Sequence, residues 1–192
     1  MFSRILGTLT FRRAKYLEIA KDRTATGQAV ILVVISAVLF SLIEVIVFAG
    51  EWAGAGRANI VRAIGWGAVS FVSSFASWIL TAVLLVLIAG LFKGKTTVGE
   101  MLRVSGFVEI FAILAYVCAL VVAISGLVSA GEVVFFVIAF LALGGYIVGV
   151  SETTGITVGK ALTTALIADI AGFFVTVFIT DLILGVLKMP AP

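Results

Sequence analysis

Long apolar runs, separated by short polar segments, dominate the pattern along the chain. A helix that crosses a bilayer needs roughly 20 mainly apolar residues, because the hydrocarbon core is about 30 Å thick and a helix rises about 1.5 Å per residue. Five runs meet this requirement, at residues 28–50, 64–92, 103–128, 133–150 and 161–187. The pattern predicts an all-α integral membrane protein whose domain of five transmembrane helices covers residues 28–188.

The segments between these runs predict where helices begin and turn. The fourth run is the shortest, and residues 129–132 (Ser-Ala-Gly-Glu) before it predict a tight turn that makes the third and fourth helices an antiparallel hairpin. Thr97 and Glu100 stand in the Thr-x-x-Glu pattern of a capping box, which predicts that the third helix begins beside them. Thr24 or Thr26 is placed to cap the first helix.

The first 27 residues form a separate basic segment with helical periodicity. Phe2, Ile5, Leu6 and Leu9 recur at intervals of three and four, and Tyr16 and Leu17 extend the apolar side. Basic residues interleave with them at Arg4, Arg12, Arg13 and Lys15. The pattern predicts a cytoplasmic amphipathic helix that lies on an interface rich in anionic lipid; a solvated basic tail is the alternative.

Composition and charge support a membrane location and give an orientation. Hydrophobic residues make up 62% of the chain and charged residues 12%, whereas soluble domains are about 45–50% apolar and about 25% charged. Ten of the 13 basic residues fall on the side of the N-terminus, and only Arg57, Arg62 and Lys188 fall on the other. The excess of positive charge on cytoplasmic loops predicts a plasma-membrane protein with its N-terminus inside and its C-terminus outside. Trp52 and Trp66 flank the outer loop, where an aromatic belt is expected.

Little in the chain suggests catalysis. It has no histidine, and its one cysteine, Cys118, lies inside an apolar run and has no partner for an internal disulfide. We therefore predict no enzymatic activity, no cofactor, no metal site and no nucleic-acid partner. A hydrolase that uses paired intramembrane acids is the enzymatic alternative.

Four acidic residues inside the runs are the strongest candidates for function. A charge at membrane depth costs about 2.5–3.5 kcal/mol on insertion scales, so each acid needs a physical reason. Glu44 and Asp181 lie toward the outer ends of their runs, where an interfacial position is expected. Glu109 and Asp169 lie deeper and are the candidate intramembrane polar site.

Glu109 and Asp169 also occupy matching places in a short repeat. The pattern Thr-Val-Gly-x-x-Leu occurs at residues 97–102 and 157–162, and in each copy an acid follows the threonine by twelve residues. This predicts a weak parallel repeat, as in transporter halves, with two carboxylates at similar depth that share a proton or bind a cation. Alternatively, each acid reaches an interface or pairs with a hydroxyl such as that of Ser105 or Thr163.

Small and polar residues form stripes on three of the predicted helices. One stripe, at spacings of three and four, comprises Gly67, Ser70, Ser74, Ser77 and Thr81. Gly145 and Gly149 form a Gly-x-x-x-Gly pair. Such stripes favour close helix packing, within the bundle or with a second copy or a membrane-protein partner; the alternative is a polar path. On the fifth helix, Asp169, Gly172, Thr176 and Thr180 share one face, from which Asp181 is displaced.

Several segments resemble the Yip-one (Ypt-interacting protein) domain family in its short prokaryotic form. They are residues 20–29 (Ala-Lys-Asp-Arg-Thr-Ala-Thr-Gly-Gln-Ala), 102–107 (Leu-Arg-Val-Ser-Gly-Phe), 153–155 (Thr-Thr-Gly) and 159–162 (Gly-Lys-Ala-Leu). Five spans also fit this family, although Phe111 stands where members often have a proline. The resemblance implies a non-enzymatic multi-pass protein that organises membranes or partner proteins. A small proton or cation channel or transporter that uses Glu109 and Asp169 is the alternative function.

Overall fold

A computed structural model describes residues 1–51, 57–125 and 128–187, and the side chains within 1–46, 61–122 and 133–183. The described residues contain no β-strand and form seven helices: α1 Phe2–Leu9, α2 Arg13–Lys21, α3 Ala25–Glu51, α4 Arg57–Leu91, α5 Val98–Ser125, α6 Val128–Thr154 and α7 Val158–Leu187. The prediction of an all-α fold is thus confirmed for this part of the chain. Trp52 and Lys188, used in the sequence analysis, lie outside it.

The five long helices α3–α7 correspond to the five apolar runs. Each is long and apolar enough to cross a membrane, and at most 39% of the residues of any of them are buried within the protein. Their outward faces carry large exposed side chains such as Phe136, Phe140, Phe174 and Phe178. An apolar surface of this extent is typical of contact with lipid and unusual for contact with water.

The helix that contains the fourth run is longer than the run itself. Helix α6 has 27 residues, the same length as α3, and begins at Val128. The expected turn at residues 129–132 is therefore wrong, because this segment lies in the first turns of α6. It contains no proline, and its alanine and glutamate favour helix, so the helical backbone continues through it.

The long helices are arranged in a ring. Helix α3 packs on α4 and α5, α5 on α6, α6 on α7, and α7 on α4, while α4 also contacts α5 across the ring. Helices α1 and α2 and the connections at residues 92–97 and 155–157 lie together at one end, where the Lys95 N–H donates to the Thr154 carbonyl at 3.0 Å. We call this the near end and the opposite end the far end.

The N-terminal segment differs from the single amphipathic helix expected. Helix α1 ends at Leu9 and α2 begins at Arg13, and between them Phe11 has a left-handed backbone with φ of 53°. This turn stacks the Phe11 ring on Phe111 of α5, with centroids 5.8 Å apart. Tyr16 consequently faces the protein, where it is fully buried and donates its hydroxyl to the Thr8 carbonyl at 3.0 Å.

Gly145 and Gly149 make room on α6 for this docking. A Cβ atom on Gly149 would lie 2.5 Å from Cγ1 of Val104 and 3.2 Å from Cδ1 of Tyr16. A Cβ atom on Gly145 would lie 3.0 Å from Cε2 of Phe111. The Gly-x-x-x-Gly pair thus lets both α5 and α2 approach the α6 backbone.

The capping box at α5 is confirmed. The Glu100 N–H donates to Thr97 Oγ1 at 3.2 Å, and the Thr97 N–H donates to Glu100 Oε2 at 2.8 Å. Helices α5 and α7 both begin one residue after the threonine of the repeat, so Glu109 and Asp169 each lie eleven residues beyond the first residue of their helix. The proposed caps of α3 have other partners: Thr24 donates to Asp22 at 2.8 Å, and Thr26 accepts from Arg103 at 3.5 Å.

Candidate functional site

A cavity of about 340 Å³, here called the central cavity, lies inside the ring of helices. All five long helices contribute to its wall. The lining residues with polar or aromatic side chains are Ser36 from α3, Ser74, Ser77, Trp78 and Thr81 from α4, Glu109 and Tyr116 from α5, Tyr146 from α6, and Asp169, Phe173 and Thr176 from α7. The two deeper acids singled out in the sequence therefore line one cavity.

A second cavity of about 410 Å³, the far cavity, lies toward the far end. Its wall contains the other two acids, Glu44 and Asp181, together with Trp66. Five residues line both cavities, namely Ser74, Ser77, Tyr116, Phe173 and Thr176. The two cavities therefore adjoin, and the hydroxyl groups of Ser74, Ser77 and Thr176 belong to both walls.

A hydrogen bond from α3 holds Glu109, although the sequence did not point to this helix. Its Oε2 atom accepts a hydrogen bond from the Ser36 hydroxyl at 2.7 Å, which joins α5 to α3. The expected partner, Ser105, instead accepts from the Trp78 indole N–H at 3.0 Å. A signal for Ser36 was present, because Ser36 and Glu44 are eight residues apart and share one side of α3.

Asp169 is exposed and, among the described residues, has no hydrogen-bond partner. Thr163, its suggested partner, donates to the Gly159 carbonyl at 3.1 Å. Tyr146 of α6 lines the same cavity as Asp169 and Glu109. The two repeat positions thus lie on one cavity, together with this tyrosine.

The stripe on α4 combines the two roles considered for it. At one end Gly67 packs closely, since a Cβ atom there would lie 2.5 Å from Cγ2 of Val45 on α3. Ser70 lines the far cavity, Ser74 and Ser77 line both cavities, and Thr81 lines the central one. Most of the stripe is therefore cavity wall.

Helix α7 continues the polar wall toward the far end. Thr176 lines both cavities, and Thr180 and Asp181 line the far one. The Thr180 hydroxyl lies 3.1 Å from that of Ser73 on α4. Asp181 and Asp169 accordingly belong to different cavities, because they lie twelve residues apart along α7.

Among the described residues, the walls of both cavities carry acidic side chains but no basic ones. Four carboxyl groups of these residues line the two cavities, and no lysine or arginine does. The described part of the chain also contains no group of three acidic or cysteine side chains arranged to hold a metal ion. The acidic walls thus suit a positive charge.

The aromatic members of the wall were missed in the sequence. Tyr116 follows Glu109 by seven residues, which places it on the same face of α5 and was a usable signal. Tyr146 was hidden inside the Gly-x-x-x-Gly segment. Its position depends on how α6 packs against α5, which the helical pattern of one segment does not specify.

Comparison with protein-family models, curated proteins and solved structures gives no match to this chain. The resemblance to the Yip-one domain family therefore stays a prediction.

Proposed function

We propose that the protein is a membrane protein that conducts protons or small cations through the central and far cavities. The observation that supports this most strongly is the placement of Glu109 and Asp169 on one cavity that adjoins the cavity of Glu44 and Asp181. This was the alternative function in the sequence analysis. The shared cavity now favours it over a purely structural role.

The proposal includes insertion in the plasma membrane with the near end in the cytoplasm and the C-terminus outside. Exposed lysines at the near end, Lys93, Lys95 and Lys160, add to the basic residues of α1 and α2. Such an excess of positive charge is typical of the cytoplasmic side. The carboxyl groups of Glu44 and Asp181 would then stand at the outer entrance.

Electrostatics explains why this wall suits a cation. In a low-dielectric surrounding, a cation that leaves water needs negative charge and oxygen ligands to replace its hydration shell. Glu109 and Asp169 supply the charge, and the hydroxyls of Ser74, Ser77 and Thr81 supply neutral oxygens. With no basic side chain in the described wall, the negative charge is not neutralised from within.

Flux measurements test the proposal. Purified full-length protein in liposomes should carry protons or monovalent cations down an imposed gradient, and Glu109→Gln and Asp169→Asn should each reduce this flux at least about tenfold. Glu152→Gln is the matched control, since Glu152 pairs with Arg13 at 3.5 Å at the near end and lines neither cavity. Flux equal to that of empty liposomes, from protein that elutes as a single folded species, would refute conduction.

A non-enzymatic scaffold of the Yip-domain type is the second candidate, and one contact favours it. Two of the segments that resemble the family meet at the near end, where Arg103 donates from Nε to the Ala20 carbonyl at 2.9 Å and also contacts Thr26. Helix α1 beside them exposes Phe2 and Leu6, which suit an anionic lipid surface or a protein partner. Crosslinking in cells that recovers one fixed membrane partner, together with absence of flux, would support the scaffold.

A further inference from the structure

We propose that the cation held in the central cavity is a small organic ammonium ion and not a bare metal ion. The inference rests on the proposed function and specifies its substrate class. Three observations support it: the size of the cavity, the aromatic rings in its wall and a hydroxyl group that has no hydrogen-bond partner among the described residues.

Cavity size is the first argument. At about 340 Å³ the central cavity falls within the range of small-molecule pockets, which begins at roughly 300 Å³. A bare metal ion instead requires oxygen atoms that converge to about 2.0–2.6 Å from one point. The two carboxyl groups come from different helices, α5 and α7, and Tyr146 of α6 lines the same cavity. A cavity of this volume has room for a small molecule beside the acids.

Aromatic side chains are the second argument. Trp78, Tyr116, Tyr146 and Phe173 line the cavity from four different helices. The faces of aromatic rings attract ammonium groups, with energies of about 0.5–2 kcal/mol per ring. Metal ions in proteins instead prefer oxygen, nitrogen or sulfur ligands. A wall that combines rings with carboxylates therefore matches an organic cation.

Trp78 is held in place for this role. Its indole N–H donates to Ser105 at 3.0 Å, and its ring meets that of Phe75 edge-on with centroids 5.6 Å apart. Because the N–H group is already bonded, the ring offers the cavity its carbon surface and not a hydrogen-bond donor. A fixed ring loses little conformational entropy when a ligand binds.

The hydroxyl of Thr176 is the third argument. Its Oγ1 atom is buried and has no hydrogen-bond partner among the described residues, although Thr176 lines the cavity. Buried polar atoms are almost always satisfied, and a threonine hydroxyl can both donate and accept, so this oxygen is available to a polar group of a molecule in the cavity. The N–H groups of a protonated amine donate to such an oxygen, and Asp169 on the same helix accepts the same kind of bond.

Calorimetric titration of the purified full-length protein with tert-butylammonium chloride tests the inference. The neutral analogue tert-butanol has nearly the same shape, and sodium chloride supplies an inorganic cation. We expect saturable binding of tert-butylammonium and at least about tenfold weaker binding of tert-butanol and of sodium. Glu109→Gln and Asp169→Asn should each weaken tert-butylammonium binding at least about tenfold, while Glu152→Gln should leave it unchanged.

Tyr146 provides a second set of variants that tests the aromatic contribution. Tyr146→Leu removes the ring and should weaken binding about 2- to 30-fold, whereas Tyr146→Phe keeps the ring and should retain most of the affinity. In the liposome assay, tert-butylammonium should also compete with the cation or proton flux of the wild-type protein.

The outcomes separate this inference from the proposed function. If proton or sodium flux depends on Glu109 and Asp169 but tert-butylammonium neither binds nor competes, the substrate class is wrong and conduction stands. If tert-butanol binds as tightly as tert-butylammonium, charge does not select the ligand and the inference fails. If there is neither flux nor binding in folded protein, both proposals fail.

Discussion

At the scale of single residues, the bond between Ser36 and Glu109 is the contact that positions the deeper acid. It links α3 to α5 over 2.7 Å, and Ser36 is buried while Glu109 is half-buried. A hydroxyl that donates to a carboxylate fixes the direction of one carboxylate oxygen and leaves the other free for a ligand. Removing it should therefore change both stability and binding.

Ser36→Ala should lower the free energy of unfolding by about 1–3 kcal/mol, because the Glu109 carboxylate loses its hydrogen-bond donor from α3. Thermal unfolding in detergent measures the change in stability, and the flux assay measures the change in cation transport. Ser41→Ala is the matched control on the same helix, since the Ser41 hydroxyl donates only to the Ala37 carbonyl one turn earlier, at 2.8 Å. Equal destabilisation by both variants would mean that the bond to Glu109 contributes nothing specific.

A second set of single-residue contacts holds α1 against α2 and α3. Arg4 donates from Nε to Glu18 at 3.1 Å and from a terminal nitrogen to Gln28 at 3.1 Å, and it also binds Asp22. Hydrogen bonds from the Thr24 backbone and side chain, followed by the bond from Arg4, lower the pKa of Asp22 below its usual 3.8. Bonds from Lys15 and Arg4 lower the pKa of Glu18 below its usual 4.5.

These shifts predict that docking of α1 depends on pH. A carboxyl group whose folded pKa is lowered stabilises the docked form above its unfolded pKa, and that contribution is lost as pH falls through the folded pKa. Docking should thus stay constant from neutral pH to about pH 5 and weaken below about pH 4. A spin label on Ser3→Cys, in a Cys118→Ala background, reports this as increased mobility.

The matched control combines Glu18→Gln with Asp22→Asn, which removes both titrating groups beside Arg4. In this variant the label should already be more mobile at neutral pH, and its mobility should no longer change in acid. A label that becomes mobile with the same midpoint in both proteins would show that other groups cause the acid effect.

At the scale of helices, the lengths of the apolar runs predicted the structure better than local turn signals did. The runs located α3–α7, and the capping box placed the start of α5, because both follow from backbone hydrogen bonding and bilayer thickness. The break at Phe11 was missed, since no glycine or proline marks it and its cause is the long-range contact with Phe111. The start of α6 was missed because serine and glycine suggested a turn where helix continues.

The sequence likewise identified only part of the candidate site. The four acids stood out because charge is rare in apolar runs, and the repeat predicted that Glu109 and Asp169 correspond. The partners Ser36, Trp78 and Tyr146 did not stand out, since serine and aromatic residues are common in membrane helices. Which of them line a cavity depends on how helices rotate against each other in the ring.

The glycine pair Gly145 and Gly149 on α6 makes a testable prediction at this scale. Gly149→Ala places a Cβ atom 2.5 Å from Val104, so α2 or α5 must move away from α6. We expect a loss of about 1–3 kcal/mol in the free energy of unfolding, as for other overpacked sites. Gly90→Ala is the matched control, because a Cβ atom there meets nothing within 4 Å and alanine favours helix. An equal loss in both variants would show that the close contact with Val104 is not the cause.

At the scale of the whole molecule, the two ends of the bundle are packed differently. Two clusters of buried apolar side chains extend from the near end to the level of the central cavity. One contains Val104, Phe107, Val108 and Phe111 with Tyr16 and Ile19 of α2, and the other contains Ala82, Leu85, Met101, Ala161 and Ala168. Toward the far end, the far cavity adjoins the central cavity. If the protein conducts as proposed, these clusters predict a route that is closed at the near end and that extends through the far cavity toward the far end.

Cysteine accessibility in liposomes tests this asymmetry and the orientation together. In a Cys118→Ala background, Ser74→Cys lies on both cavities, Leu85→Cys lies eleven residues further along α4 in a buried cluster, and Lys95→Cys is exposed at the near end. An impermeant cationic methanethiosulfonate should modify Ser74→Cys from the far side only and Lys95→Cys from the near side only. Leu85→Cys should react from neither side.

The reaction of Leu85→Cys is the informative one, because flux requires the near end to open at some point. If an imposed gradient or tert-butylammonium makes Leu85→Cys reactive from the near side while Ser74→Cys becomes protected, the two ends open in turn, as in a carrier. If both cysteines react at once under the same gradient, the route is open at both ends, as in a channel. If Leu85→Cys reacts from the near side as fast as Lys95→Cys without any gradient or ligand, the apolar clusters do not close the route and the proposed closure is wrong.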